Sequence, residues 1–547
     1  MSGKPCLLAF ALLGPLLAVA QQSPPAPAPA PITLQLQVAA LRAQLQALQA
    51  RLAALEATMV GAGSSAPAAR VPLVLAPISL PGGGPPCGIS QPCAPILPAG
   101  QAARPPRMAP AAAATPAPPA PPMPAPTASL PFAFADFSWL NGQGRVSTPP
   151  LDTAFFTPEV HIDTNYIYDF NHPQDDTLVG TTEGGRTQEV QLQQLGIGGD
   201  FHYDNVRGRL MTQFGLDSTM TPRNDATPGR GQWDLANAYR YLSEAYGGYH
   251  FNVMHGVNLD AGIFMSYIGL FSYYNTDNWA YQPSYVSSNT PWYFNGLRLQ
   301  AFPTDHLKVE FWLINGWQSY GRANGRPGLG TQILWRPNGS FSFVTNEYGV
   351  GADTLGVPSR TRWHSDSSVQ LKYYDVPDNL LDKAAFSITA DVGCESGGGV
   401  ACFANAQHLP RQYFLGAMAY NRFWFHRDRY GLTLGGGWIN NPGRYLVLLP
   451  PINGATAFSG TPYFTENPGD PFRAWDASAT FDYMPNQYVT FRWEYDHRAA
   501  NVPYFAGPGG VTPPGGNTGA PGSTIPGWAP DLAKRENRLN LALLVAF

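Results

Sequence analysis

Beyond residue 130, apolar and polar side chains alternate in one short stretch after another. VTFRWEYDH (489–497) places Val489, Phe491, Trp493 and Tyr495 on one face and Thr490, Arg492, Glu494 and Asp496 on the other. LKVEFWLIN (307–315) sets Leu307, Val309, Phe311 and Leu313 against Lys308 and Glu310. VHIDTNYIYDF (160–170) and SVQLKYY (368–374) repeat the pattern. A period of two is the mark of a strand with one apolar face. About sixteen such segments follow one another, beginning near residues 160, 188, 206, 240, 257, 294, 307, 330, 341, 362, 385, 411, 430, 473, 488 and 535. The connections alternate in length: YDN, MHG, PTDH, PNGS and MPNQ are short, whereas the intervening ones are long. An even number of strands with short turns at one end and long loops at the other is the plan of an outer-membrane barrel. The expected fold is therefore an all-β transmembrane β-barrel of about sixteen antiparallel strands. A soluble sandwich would not require turns that alternate short and long. The segment NRLNLALLVAF (537–547) reads as the closing strand, with Leu539, Leu541, Leu543 and Val545 toward lipid and Phe547 in the periplasmic aromatic girdle.

The first 130 residues follow other patterns. Lys4, the apolar run 7–20 and Ala18-Val19-Ala20 read as a secretory signal peptide over residues 1–20. Within 31–60, Leu34, Val38, Leu41, Leu45, Leu48, Leu52, Leu55 and Met59 step alternately by four and three. That a/d pattern predicts a short α-helical coiled coil in the periplasm and hence a homo-oligomer. The number of strands in the coil is left open, with a trimer as the guess. An amphipathic helix lying on the protein's own body is the simpler alternative. Residues 61–130 are rich in Pro, Ala and Gly and read as an extended spacer. The barrel is expected over 131–547.

Composition narrows the class. The chain has 547 residues, a formal charge of −4, 12% aromatic and 13% charged residues. No strongly basic domain stands out, which argues against a nucleic-acid partner. Cys6 falls in the signal peptide, and the rest form two local pairs, Cys87 with Cys93 and Cys394 with Cys402. In an exported chain such pairs suggest disulfides. Neither pair has metal-ligand spacing, so neither a metal site nor a cofactor is expected. No GxSxG or HExxH occurs and the histidines are scattered, so no catalytic residues and no enzyme are expected.

The segments FADFSWLNGQGR (134–145), FFTPEVHIDTNYIYDFNHPQDD (155–176), QLGIGGDFHYDNVRGRLMTQFG (194–215) and AYRYLSEAYGGYHF (238–251) resemble the OmpL-like beta-barrel porin-2 family of bacterial outer-membrane proteins. So do residues 260–300 and INGWQSYGR (314–322). The resemblance implies a channel-forming barrel in the outer membrane, with no established substrate. The terminal Phe547 also resembles the recognition signal of the barrel-assembly machinery.

The dyad assigns the candidate pore lining. Asp163, Arg207, Arg209, Arg298, Lys308, Glu310, Arg362, Lys372, Arg492, Glu494, Asp496 and Arg538 lie on polar faces. Such charges either set which solutes pass or pair with one another along the wall. Both signs occur, so only weak selectivity by charge is expected. The third long loop (268–294) is the expected constriction. Its Tyr273, Tyr274, Trp279, Tyr281 and Tyr285, followed by Trp292 and Tyr293, could stack on sugar rings or pack the loop onto the wall. CESGGGVAC (394–402) reads as a disulfide-pinned outer loop. The function read from these features is a porin for passive diffusion of small polar solutes, with sugars as the candidate class. The alternative is a structural barrel that tethers the outer membrane to the cell envelope.

Overall fold

The computed structural model describes residues 130–403 and 407–547. The segments read as a signal peptide, a coiled coil and a Pro-rich spacer, and the Cys87/Cys93 pair, lie outside the described residues. Among the described residues no helix is long and apolar enough to cross a membrane.

Sixteen antiparallel strands close into a ring. They are β1 (Phe156–Asp169), β2 (Val190–Tyr203), β3 (Val206–Thr212), β4 (Leu242–Phe251), β5 (Val257–Met265), β6 (Tyr293–Thr304), β7 (Leu307–Ile314) and β8 (Gly328–Asn338). Then come β9 (Phe341–Gly351), β10 (Thr361–Asp375), β11 (Leu381–Ser396), β12 (Tyr413–Phe425), β13 (Tyr430–Asn441), β14 (Phe472–Tyr483) and β15 (Val489–Ala500). Two-residue strands β16 (Phe505–Ala506) and β17 (Leu532–Ala533) form a ribbon in the last long loop. Strand β18 (Arg535–Ala546) then closes the ring between β15 and β1. Its register with β1 runs from His161 opposite Ala546 to Asp169 opposite Arg538. The bonded closure leaves no free edge, as a sheet in lipid requires.

The two faces differ as the alternation demands. On β15, Phe491, Trp493 and Tyr495 are exposed, whereas Thr490, Arg492, Glu494 and Asp496 are buried. Exposed Leu297, Leu299, Phe311, Leu313, Ile333, Leu434, Leu539 and Leu543 continue this belt around the outside. So large an apolar surface on a closed barrel is its lipid face. The inner face carries the charged residues. Short turns connect the strands at one end, which in this architecture is the periplasmic end.

Residues 131–155, expected as part of the barrel, form no strand. They make a strap across the short-turn mouth. Phe132 N donates to Asp305 O (2.8 Å) at the β6–β7 turn. Trp139 Nε1 donates to Gly339 O (3.0 Å) at the β8–β9 turn. Arg145 Nη2 donates to Thr490 Oγ1 (2.7 Å), and Ser147 N to Gln487 Oε1 (3.0 Å), at the β14–β15 turn. The β6–β7 and β14–β15 turns face one another across the sixteen-stranded ring. The strap therefore spans the mouth.

Candidate functional site

The third long loop, between β5 and β6, folds into the lumen and is held there mainly by charged residues of one half of the wall, with Glu244 on β4 accepting from Tyr274 OH (3.0 Å) on the other side. Arg422 and Arg492 share the Asp482 carboxylate: Arg422 Nη2 lies 2.8 Å from Oδ2, and Arg492 Nε lies 2.7 Å from Oδ1. Their remaining hydrogens hold the loop backbone. Arg422 Nη1 donates to Trp279 O (3.2 Å) and Arg492 Nη2 to Asn278 O (2.6 Å). One turn of loop further on, Glu494 accepts from Tyr281 N (2.6 Å) and Gln282 N (2.8 Å). Asp476 accepts from Ser284 Oγ (2.7 Å) and Tyr285 N (3.0 Å). Asp163 accepts from Asn275 Nδ2 and Tyr281 OH, each at 3.2 Å. Arg538 donates to Gln282 Oε1 (2.7 Å) and to Asp496 (3.1 Å). Arg498, fully buried, lies 4.4 Å from the Tyr285 ring centre. Buried charges need partners, and here the partners are one another and the loop's peptide groups.

The strap meets the loop from below. Trp279 N donates to Asn141 Oδ1 (2.7 Å), Trp279 Nε1 to Trp139 O (3.2 Å), and Gly142 N to Asp277 O (3.1 Å). Gly142 has a φ of +78°, and a Cβ there would lie 2.3 Å from Leu270 O. The chain crossing therefore requires glycine on both counts.

The five loop aromatics are buried. Tyr274 stacks on His161 at 4.2 Å, Trp279 packs edge-on to Trp424 at 5.6 Å, and Tyr285 packs against Phe472 at 6.1 Å. Their main work is to seat the loop. Tyr273 and Trp292 also border both an inner cavity of about 320 Å³ and an outer one of about 510 Å³. Burial raises the Tyr273 phenol well above its ordinary value, so it stays protonated and donates to Gln213 Oε1 (2.6 Å). In the outer cavity, burial raises the Glu183 carboxyl well above its ordinary value, and the Asp217 and Asp163 charges raise it further.

All twelve predicted lining residues sit on inward faces, but in two groups. Asp163, Arg492, Glu494, Asp496 and Arg538 are in the loop anchorage just described. The rest lie elsewhere. Arg209 binds Glu244 (2.8 Å), Asp200 (2.9 Å) and Glu159 (2.6 Å). Asp260 faces Arg207 (3.4 Å) and Arg298 (2.8 Å). Lys308 binds Glu310 (2.8 Å), Arg362 binds Glu395 (2.8 Å), and Lys372 binds Asp375 (2.5 Å). Arg298, Lys308 and Glu310 line the inner cavity. Asp476, Asp482, Arg422, Arg498 and Arg336 are further inward-facing charges that the reading of the sequence passed over. The alternation in FRAWDASATFDY (β14) already carried Asp476 and Asp482. Cys394, near the end of β11, is bonded to Cys402 in the loop that follows. Phe547 lies at the short-turn end and exchanges backbone hydrogen bonds with Val160.

The sequence profile of the beta-barrel porin-2, OmpL-like family matches residues 156–520. The chain belongs to this family. The match covers β1 through most of the last long loop and makes the protein an outer-membrane porin-type barrel. No curated protein matches the chain. Among solved structures, the chain is similar to OmpT, an outer-membrane protein of Vibrio cholerae, at 9% identity and a TM-score of 0.40, over 73% of this chain and 100% of that one. It is also similar to the outer-membrane channel DcaP of Acinetobacter baumannii, at 13% identity and a TM-score of 0.39, over 75% and 100%. A porin from Comamonas acidovorans aligns at 10% identity and a TM-score of 0.41, over 72% and 99%.

Proposed function

We propose that this porin is a passive diffusion channel whose solutes move along the β4–β10 wall, past the inward loop. The observation that carries the reading is the uneven anchorage of the loop, which leaves a cavity along one side. Most of its charged anchors lie on β1, β12, β14, β15 and β18, and the inner cavity lies against β4–β10. Trp292 borders the inner cavity, the outer cavity and a third cavity of about 160 Å³, so a solute moving between them would pass this ring. Small polar solutes fit this lining, and the position of Tyr273 and Trp292 on both cavities supports contact with a sugar ring in passing. The wall then lowers the barrier for a solute moving down its gradient, without strong binding. The heptad segment supports a homo-oligomer, and the strap connects that upstream region to the mouth of the barrel. The same upstream pattern supports a second role as an envelope tether.

Single-channel recording of the refolded full chain in a planar bilayer tests the channel reading. Stable conductance steps are expected, with brief blocks on adding oligosaccharide if the two aromatics touch sugars. A folded, heat-modifiable barrel that never conducts would overturn the channel reading and leave the tether.

A further inference from the structure

The inner cavity contains a cation with no counter-charge. Arg336 on β8 is 8% exposed, its Nε has no hydrogen-bond partner, and no carboxylate pairs with it among the described residues. It borders the 320 Å³ cavity. Its guanidinium carbon lies 4.6 Å from the ring centre of Phe137 and 5.1 Å from that of Phe132, both on the strap. Aromatic faces hold a guanidinium in place without neutralising it.

The other charges around this cavity are already engaged. Glu310 accepts from Lys308 (2.8 Å), Gln300 (2.6 Å) and Trp312 Nε1 (3.0 Å). Glu244 accepts from Arg209 (2.8 Å) and Tyr274 OH (3.0 Å). Arg298 is bound to Asp260 (2.8 Å) behind the cavity. The register places the three cavity cations in a rising line. Arg336 N bonds to His306 O (2.9 Å), Lys308 lies opposite Leu334 one step further in, and Arg298 lies opposite Trp312.

A buried guanidinium without a partner is costly, and its planar fork matches a carboxylate or a phosphate. We propose that Arg336, assisted by Lys308 and Arg298, forms an oxyanion station in the inner cavity, which receives the carboxylate or phosphate group of a small organic solute in transit. The proposal rests on the channel reading and adds a solute class to it. The strap is part of this station, because its two phenylalanines hold Arg336 without neutralising it.

The test is swelling of liposomes that contain the full-length protein, in arabinose, sodium gluconate or sodium glucose 1-phosphate. In Arg336→Gln, entry of one or both anions relative to arabinose is expected to fall about fivefold, the loss of one modest charge contact. A fall for gluconate alone assigns a carboxylate, and a fall for glucose 1-phosphate alone assigns a phosphate. Arg336→Lys keeps the charge and should keep most of the preference. Unchanged ratios in a folded Arg336→Gln barrel overturn the station while the pore stands. If arabinose does not enter even with the parent protein, the channel reading fails. Saturation-transfer NMR of gluconate and glucose 1-phosphate on the solubilised protein then decides: binding lost in Arg336→Gln upholds the station, and binding unchanged overturns it.

Discussion

The two halves of the lumen wall are built from the same alternating sequence and treat their charges in opposite ways. On β12, β14, β15, β18 and β1, arginines and carboxylates are fully buried and fasten the inward loop. On β4–β10, charges such as Lys308 and Arg336 face a cavity. The difference comes from what lies opposite each wall. Where peptide groups of the loop arrive, a charge becomes a bolt. Where the loop leaves space, as at Arg336, it faces the cavity. A lumen-facing charge in a porin therefore has no fixed role until the loop's position is known.

The sharpest way to break the comparison is Asp482→Ala. It leaves Arg422 and Arg492 buried side by side with no carboxylate between them. The expected cost is about 3–5 kcal/mol, the range seen when one member of a buried charge cluster is removed. A lowered urea midpoint together with a larger, noisier conductance would record it. Arg336→Gln, on the other wall, breaks no ion pair among the described residues, so it should change ion preference and leave the midpoint nearly unmoved. Equal losses of stability would erase the distinction between the walls.

A smaller effect is expected at the contact between strap and loop. Asn141→Ala leaves the buried Trp279 N–H without its acceptor, a cost of about 1–3 kcal/mol. That cost falls on the docking of the loop, and more frequent transient openings in single-channel traces are the expected result. Identical open-state noise would show that the strap does not brace the loop.

The smallest effect concerns the outer loops above the cavity-bearing wall. Asp225 accepts from Thr227 N and Tyr320 N, each at 3.2 Å, and so joins two of them. Burial raises its carboxyl to about 6. The folded state then holds this proton more tightly than the unfolded chain, so stability is highest below the ordinary value of 3.8 and falls as pH rises toward about 6. Asp225→Asn should remove that slope. The melting temperatures of the two proteins are expected to agree near pH 4 and to diverge in favour of the variant above pH 6. Parallel profiles would contradict it.

Much of the barrel was legible because a strand with one lipid face must alternate. The expected strand starts at 206, 257, 307, 341, 430 and 535 coincide with the observed ones. The inward positions of Arg492 and Glu494 follow from the same rule. What alternation does not carry is the path of a segment that belongs to no strand. Residues 131–155 contain apolar Phe132, Phe137 and Trp139 at no regular period. Their contacts lie with turns and loops up to hundreds of residues away, as with Arg145 and Thr490. The loop aromatics were visible as a cluster, but whether they face a solute or the wall depends on the loop's fold. Arg336 was missed because Leu334, two residues earlier on the same inward face, breaks the polar pattern of β8.

The central claim is that solutes pass along one wall because the other is filled. It is tested most directly by comparing Val344→Cys, on the cavity wall, with Ser478→Cys, on the loop-bearing wall, against the parent protein. A charged thiol reagent is added during single-channel recording. The account predicts a stepwise fall in conductance for Val344→Cys and none for Ser478→Cys. Block at Ser478→Cys with none at Val344→Cys would contradict it.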